Sequence, residues 1–89
     1  ELVGNSFAEQ CHRVLLNLKI ILEAGGSGLK HVLKVTIYMK NLAQFGELNE
    51  IYSEYFDDSK PARVCVEVSN LPKGADVEMD AIAEISSVN

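Results

Sequence analysis

The sequence predicts an α/β (α+β) domain in which helices cover one face of a mixed sheet. Two segments repeat apolar residues at the spacing of an amphipathic helix, and three shorter segments alternate apolar and polar residues as half-buried strands do. Their order along the chain is α-β-α-β-β. Both helices need an apolar surface to cover, so we expect them to pack on the same sheet.

Size and charge limit the partners of this domain. The 89 residues, of which 47% are hydrophobic, indicate a single folded unit, 1–89, with a small core. Association with further subunits would stabilise such a unit. The net charge of −5 repels a phosphate backbone and argues against a nucleic acid partner. No apolar run reaches the ~20 residues of a membrane span.

The two cysteines are predicted to be reduced thiols. Cys11 and Cys65 fall on different predicted elements, and neither has another Cys or His at a zinc-ligand spacing. His12 follows Cys11 directly and points roughly 100° away around a helix, which disfavours a shared metal. This pattern indicates an intracellular protein without a disulfide framework.

The first helix is predicted from residue 6 to the glycines at 25 and 26. Ser6 and Glu9 form a capping box, in which each side chain bonds the backbone N–H of the other residue. Apolar residues then recur on one face until the two glycines end the helix. These residues are Ala8, Cys11, Val14, Leu15, Leu18 and Leu22.

A strand over 31–40 and a second helix follow. In the strand, alternation places Leu33, Val35, Ile37 and Met39 on one face and Val32, Lys34, Thr36 and Tyr38 on the other. Asn41 is a candidate cap for the helix. Its apolar stripe consists of Leu42, Phe45, Leu48, Ile51, Tyr52, Tyr55 and Phe56. We expect the aromatic residues at 52, 55 and 56 to belong to the core, and both histidines to lie on the surface.

Two further strands are predicted over 61–68 and 76–85. The first has an apolar face of Val64, Val66 and Val68 and a second face of Arg63, Cys65 and Glu67. In the last strand, Val77, Met79, Ala81, Ala83 and Ile85 oppose Asp76, Glu78, Asp80, Ile82 and Glu84. With helices on one side of the sheet, we expect the other side to carry Arg63, Cys65, Glu67, Glu78 and Asp80.

Three motifs stand in the second half of the chain, which reads Pro-Ala-Arg-Val-Cys-Val-Glu-Val over 61–68, Leu-Pro-Lys-Gly over 71–74 and Val-Glu-Met-Asp-Ala-Ile-Ala over 77–83. These motifs resemble the Rid (YjgF) family of reactive-intermediate deaminases. The second helix, with Phe45, Asn49, Tyr52, Tyr55 and Phe56, and the strand before it also resemble the family. Asp80 stands where many members have Glu.

The resemblance implies a chorismate-mutase-like fold, a homotrimer and three clefts between subunits. Members hydrolyse enamines and imines such as 2-aminoacrylate and 2-aminocrotonate to 2-keto acids and ammonia, with neither metal nor organic cofactor. The implied ligand is a small imino or enamino acid with a carboxylate. Together with reduced thiols, this implies a cytoplasmic or mitochondrial protein.

The amino-terminal strands of the family have no counterpart in this chain. Those strands bring an active-site tyrosine and a Ser-Gly-Gln segment beside the substrate, so we expect an N-terminally truncated domain. The missing strand would pair with the strand over 76–85 and leave it as an unprotected edge. We therefore expect aggregation, strand exchange or lower stability than in a full-length version.

Four residues are candidates for the site. Arg63 matches a substrate carboxylate in geometry and charge, although an ordinary strand arginine would pair with Glu67 or Asp80. Glu78 resembles the family's acidic residue that positions water or relays a proton. Cys65 would contact substrate and shape the pocket without acting as a nucleophile, or simply be buried. Asn49 would bind substrate or be an exposed helix residue.

Two other functions compete with imine and enamine deamination. Relatives described as translation inhibitors suggest an RNA-binding protein or endoribonuclease, against which the negative charge and the lack of a basic, aromatic stripe argue. The third candidate is a non-catalytic trimeric ligand-binding protein, which the absence of the amino-terminal strands would favour.

Overall fold

The computed structural model describes residues 6–57 and 60–85. It confirms the predicted α-β-α-β-β order. The elements are α1 (Phe7–Ala24), β1 (Val32–Met39), α2 (Phe45–Tyr55), β2 (Ala62–Glu67) and β3 (Val77–Ala83), with short 3-10 turns at Leu29–His31, Leu42–Gln44 and Pro72–Gly74.

Local hydrogen bonds place both helices. The Glu9 N–H donates to the Ser6 hydroxyl at 3.1 Å, and the Ser6 N–H donates to the Glu9 carboxylate at 3.3 Å, so the predicted capping box forms. After Ala24 the chain turns through Gly26, whose φ of +85° favours glycine. Asn41 does act as a cap, but it accepts from the Ala43 N–H and so caps the 3-10 turn that precedes α2.

The sheet is mixed and has the order β2-β1-β3 among the described residues. The central strand β1 pairs in parallel with β2 and antiparallel with β3. Val35, Ile37 and Met39 of β1 face the helices and are fully buried. Strands β2 and β3 are the two edges of the described sheet, which agrees with the predicted edge at 76–85.

The alternation predicted for β1 is wrong at its amino end. The pairing of β1 with β3 shifts register between Val32 and Lys34. This irregularity turns Val32 into the core, where it is 5% exposed, and leaves Leu33 52% exposed. One extra residue in a strand reverses the alternation of side chains, which explains the error.

The core lies between the helices and the sheet. Its buried apolar side chains are Phe7, Cys11, Leu15, Val32, Val35, Ile37, Met39, Leu48, Ile51, Tyr52, Phe56 and Val77. The cysteines are both free thiols. None of the described helices combines the length and the apolar character needed to cross a membrane.

The face predicted for β2 is also wrong. Arg63, Cys65 and Glu67 pair in register with Val35, Ile37 and Met39, so they share the helix-covered face. Period-two alternation separates the two faces of a strand but does not say which face is covered. On an edge strand the covered face can carry polar side chains, because the helices reach only part of it.

The opposite face of the sheet is uncovered by the described residues. It carries Val64 and Val66 of β2, which are 43% and 36% exposed. It also carries Glu78 and Asp80 of β3, which pair in register with Tyr38 and Thr36 of β1. We call this surface the open sheet face; it is apolar on the β2 side and acidic on the β3 side.

Candidate functional site

Arg63 lies on β2 with its guanidinium against helix α2. Its Nη1 donates to the Asn49 Oδ1 at 2.7 Å. The central carbon of the guanidinium lies 4.7 Å from the ring centroid of Tyr52 and 5.1 Å from that of Phe45. Two aromatic rings and one amide therefore hold the guanidinium.

These three partners share one face of α2. Phe45, Asn49 and Tyr52 stand at positions i, i+4 and i+7, which fall on one side of a helix. The sequence singled out Arg63 and Asn49, and the structure brings them together. It assigned Tyr52 to the core, which is correct, since that side chain is only 7% exposed. The same ring also contacts Arg63. The helical spacing that puts Tyr52 on the same face as Asn49 was the signal in the sequence that could have indicated this contact.

The charge of Arg63 is not neutralised within the described part of the chain. No described carboxylate lies within ion-pair distance of it; the described ion pairs are Lys19 with Glu23 and Lys40 with Asp76. The pairing considered for an ordinary strand arginine does not form. The remaining guanidinium N–H groups are thus available to an anion.

The two acidic residues considered as partners of Arg63 are engaged elsewhere. Glu67 accepts the Leu42 N–H at 3.0 Å, which links β2 to the turn before α2. Asp80 accepts the Tyr38 hydroxyl at 3.0 Å on the open sheet face. Both carboxylates therefore serve local structure.

A cavity of about 350 Å³ opens beside Arg63. Its lining residues are Asn49, Tyr52, Ser53, Phe56, Lys60, Pro61 and Arg63. The two cations in this lining favour an anionic ligand. Such a volume lies within the range of small-molecule sites. The Tyr52 hydroxyl is buried and has no hydrogen-bond partner among the described residues. Burial raises the pKa of Tyr52, and the nearby charge of Arg63 partly opposes that rise.

Cys65 lies on the covered face but does not line this cavity. Its Sγ is 3.4 Å from the Sδ of Met39, and the side chain is half-buried. Burial raises the pKa of the Cys65 thiol, and Arg63 lowers it by less. The thiol is therefore protonated at neutral pH and is a weak nucleophile. Its contact with substrate stays a prediction.

Glu78 lies away from Arg63, on the open sheet face. It pairs in register with Tyr38, while Arg63 shares the covered face with Val35. The structure therefore does not bring the two predicted catalytic residues together within one chain. Across the described residues, no group of three or more His, Cys, Asp and Glu side chains could hold a metal ion.

A larger groove of about 430 Å³ lies between the carboxyl ends of α1 and α2. Lys19 and Glu23 in its wall pair with each other at 3.0 Å, and Tyr55 bonds His12 at 3.1 Å. Its lining mixes acidic and basic groups, including Lys30, His31, Glu54 and Asp57. We place the site at Arg63 because its cation has no ion-pair partner among residues 6–57 and 60–85, whereas the charges of this groove offset one another.

Comparison with known proteins decides the family. The sequence profile described as endoribonuclease L-PSP matches residues 1–85. The chain is 55% identical over 83 residues to a RutC family protein of Pyrococcus abyssi, with 93% of this chain and 65% of the relative covered. The chain belongs to the Rid family, also called YjgF, L-PSP or RutC. It spans about two thirds of the length of the curated relatives it matches.

Solved structures agree with this assignment to the Rid family. The crystal structure of the Escherichia coli YjgF gene product superposes with a TM-score of 0.87 at 36% identity, over 92% of this chain and 67% of that one. Escherichia coli TdcF with bound serine superposes with a TM-score of 0.89 at 32% identity, over 97% of this chain and 69% of that one. The YjgF-like α+β fold is therefore shared.

Proposed function

We propose that this Rid family chain forms a homotrimer that hydrolyses enamines and imines, such as 2-aminocrotonate and 2-aminoacrylate, to 2-keto acids and ammonia. The observation that carries the proposal is the guanidinium of Arg63, which forms no ion pair with a described residue and lies beside a cavity of about 350 Å³. Imino acids of this class carry a carboxylate, which a guanidinium binds through two parallel N–H groups. The bound serine of TdcF, an amino acid of similar size, supports such a ligand here.

In the proposed reaction, the enamine first tautomerises to the imine. Water then adds to the imine carbon, and the carbon–nitrogen bond of the resulting carbinolamine breaks. The nitrogen gains a proton and leaves as ammonia, and the hydroxyl group loses its proton to form the 2-keto acid. Arg63 holds the carboxylate and orients the imine carbon, and Asn49 fixes Arg63. Glu78 accepts a proton from the attacking water and delivers one to the leaving nitrogen.

The positions of Arg63 and Glu78 on opposite faces of the sheet support a cleft between two copies. One chain would supply the guanidinium from its covered face, and its neighbour would supply Glu78 from its open sheet face. The exposed side chains of Val64, Val66 and Ile82 on the open sheet face favour association. We propose a closed ring of three copies, which contains three equivalent clefts.

A ribonuclease is the second candidate, and the description of the matching profile favours it. The net charge of −5 opposes binding of a phosphate backbone. The described cavity lining offers two cations, Lys60 and Arg63, which suits one small acid better than a nucleic acid strand.

An enamine assay tests the proposal. Threonine dehydratase generates 2-aminocrotonate in the presence of this protein, and the appearance of 2-ketobutyrate is followed. We expect acceleration by the wild type and a loss of about 10- to 100-fold in kcat/KM for Arg63→Ala, because charged hydrogen bonds to the carboxylate disappear. No acceleration by the wild type would contradict the proposal. RNA cleavage that survives Arg63→Ala, without enamine turnover, would support the second candidate.

A further inference from the structure

We infer that Phe45 and Tyr52 are positioning residues, whose rings hold the guanidinium of Arg63 in the orientation that binds a carboxylate. The inference rests on the proposed function, in that Arg63 is taken as the carboxylate site. It assigns a role to two aromatic residues that sequence patterning places in the core.

The geometry supports a cradle of neutral groups. The guanidinium lies 4.7 Å from the Tyr52 centroid and 5.1 Å from the Phe45 centroid, within the range of cation–π attraction. Asn49, between the rings along α2, fixes one edge of the guanidinium through its Oδ1 at 2.7 Å. Arg63 belongs to an edge strand and is exposed. Without the rings its long side chain would sample several rotamers.

The neutrality of the cradle explains how Arg63 is held without losing affinity for an anion. A carboxylate partner would orient the guanidinium but neutralise it and compete with the substrate. Aromatic rings and an amide orient it and leave its full charge for the ligand. A group held in its binding orientation loses less entropy when the ligand arrives.

The rings themselves are fixed by the core. Tyr52 is buried and stacks on Phe56, with centroids 4.7 Å apart and an interplanar angle of 27°. Phe45 is half-buried and packs against the core at the first residue of α2. The guanidinium therefore contacts two rings that packing against the core holds in place.

Titration with 2-ketobutyrate, followed by calorimetry, tests the inference independently of turnover. Tyr52→Leu and Phe45→Leu are each expected to weaken binding about 2- to 10-fold, which is the effect of releasing one flexible side chain. Tyr52→Phe keeps the ring and is expected to bind as the wild type does. In an Arg63→Ala background, the ring substitutions are expected to change nothing further. Thermal melts identify any variant that does not fold. If Tyr52→Leu does not fold, the affinity of Phe45→Leu, at the less buried site, tests the inference.

Wild-type affinity in both leucine variants would overturn the inference, as would a weakening that persists in the Arg63→Ala background. The second result would mean that the rings act through general stability. If the wild type binds no 2-ketobutyrate, both the inference and the carboxylate site are wrong. If it binds 2-ketobutyrate through the cradle but turns over no enamine, the inference holds and the proposed deaminase activity alone fails.

Discussion

At the scale of single residues, the proposed site depends on an arginine whose partners in the described part of the chain are neutral: one amide and two aromatic rings. Its charge, its motif and the candidacy of Asn49 on the second helix could be predicted from the sequence, whereas the hydrogen bond between Arg63 and Asn49 emerged only from the structure. The ring contacts could not, because an apolar stripe shows that a side chain is buried but not that its ring faces a cation. Tyr52 has both roles, since its side chain is buried in the core and its ring also contacts the Arg63 guanidinium.

Tyr52→Phe is expected to leave the free energy of unfolding unchanged or raise it by up to about 1 kcal/mol. The hydroxyl is buried without a described partner, and an unmet polar group costs free energy on burial. Urea unfolding of both proteins checks this. A loss above 1 kcal/mol would show that the hydroxyl has a partner outside the described residues.

Stability is expected to fall as pH rises above 9. Burial raises the pKa of the Cys11 thiol from 9.0 to about 12, with a smaller contribution from Glu47. The unfolded thiol ionises near pH 9, whereas the folded thiol keeps its proton. Its contribution to the free energy of unfolding is therefore complete below pH 9 and falls by about 1.4 kcal/mol per pH unit between pH 9 and pH 12.

Urea unfolding at pH 8, 9.5 and 10.5 measures this decline. Cys11→Ala provides the control, because it lowers stability at every pH through a cavity but removes this titration. The variant is expected to show a shallower decline. Equal slopes in the two proteins would contradict the assignment to Cys11.

At the scale of elements, a polar clamp joins α1 to the start of β3. The buried Gln10 donates from Nε2 to the Asp76 carboxylate at 3.1 Å and accepts the Asp76 N–H at 2.9 Å. Helix periodicity could not reveal it, because Gln10 lies beside the apolar stripe and reads as a surface residue. The prediction of the face on which Arg63 lies in β2 was wrong for a related reason, because alternation does not identify which side of a strand is covered.

Gln10→Ala is expected to lower the free energy of unfolding by about 1–3 kcal/mol, since it leaves the Asp76 N–H without its acceptor. Asn17→Ala, an exposed change on the same helix, is the matched control and is expected to change stability by at most about 0.5 kcal/mol. Both are measured by urea unfolding. Equal effects would show that the clamp contributes nothing specific.

At the scale of the whole molecule, the proposed association rests on the difference between the two faces of the sheet. One face is covered by helices, and the open sheet face carries exposed valines beside acidic residues. Sequence alternation predicts that such a face exists. The register of β2 shows that Arg63 is not on it, so Arg63 and Glu78 do not meet within one chain. In the proposed assembly, the two proposed catalytic residues therefore come from different copies of the chain.

Val64→Lys is expected to convert the proposed trimer to monomers, because it places a charge in the interface. Leu16→Lys is the control: Leu16 is 47% exposed on α1 and Val64 is 43% exposed on the open sheet face. Sedimentation velocity distinguishes the species. Trimers that survive Val64→Lys, or monomers in the wild type, would contradict the proposed assembly.

Complementation between two inactive variants tests the central claim most directly. Arg63→Ala and Glu78→Gln are unfolded together, refolded and assayed for enamine hydrolysis. If each cleft combines Arg63 of one copy with Glu78 of the next, random mixing restores about a quarter of the clefts. A control mixture of wild type with the Arg63→Ala/Glu78→Gln double variant is then also expected to show about a quarter of the activity. An inactive mixture of the single variants, with about half activity in the control, would show instead that both residues act within one chain.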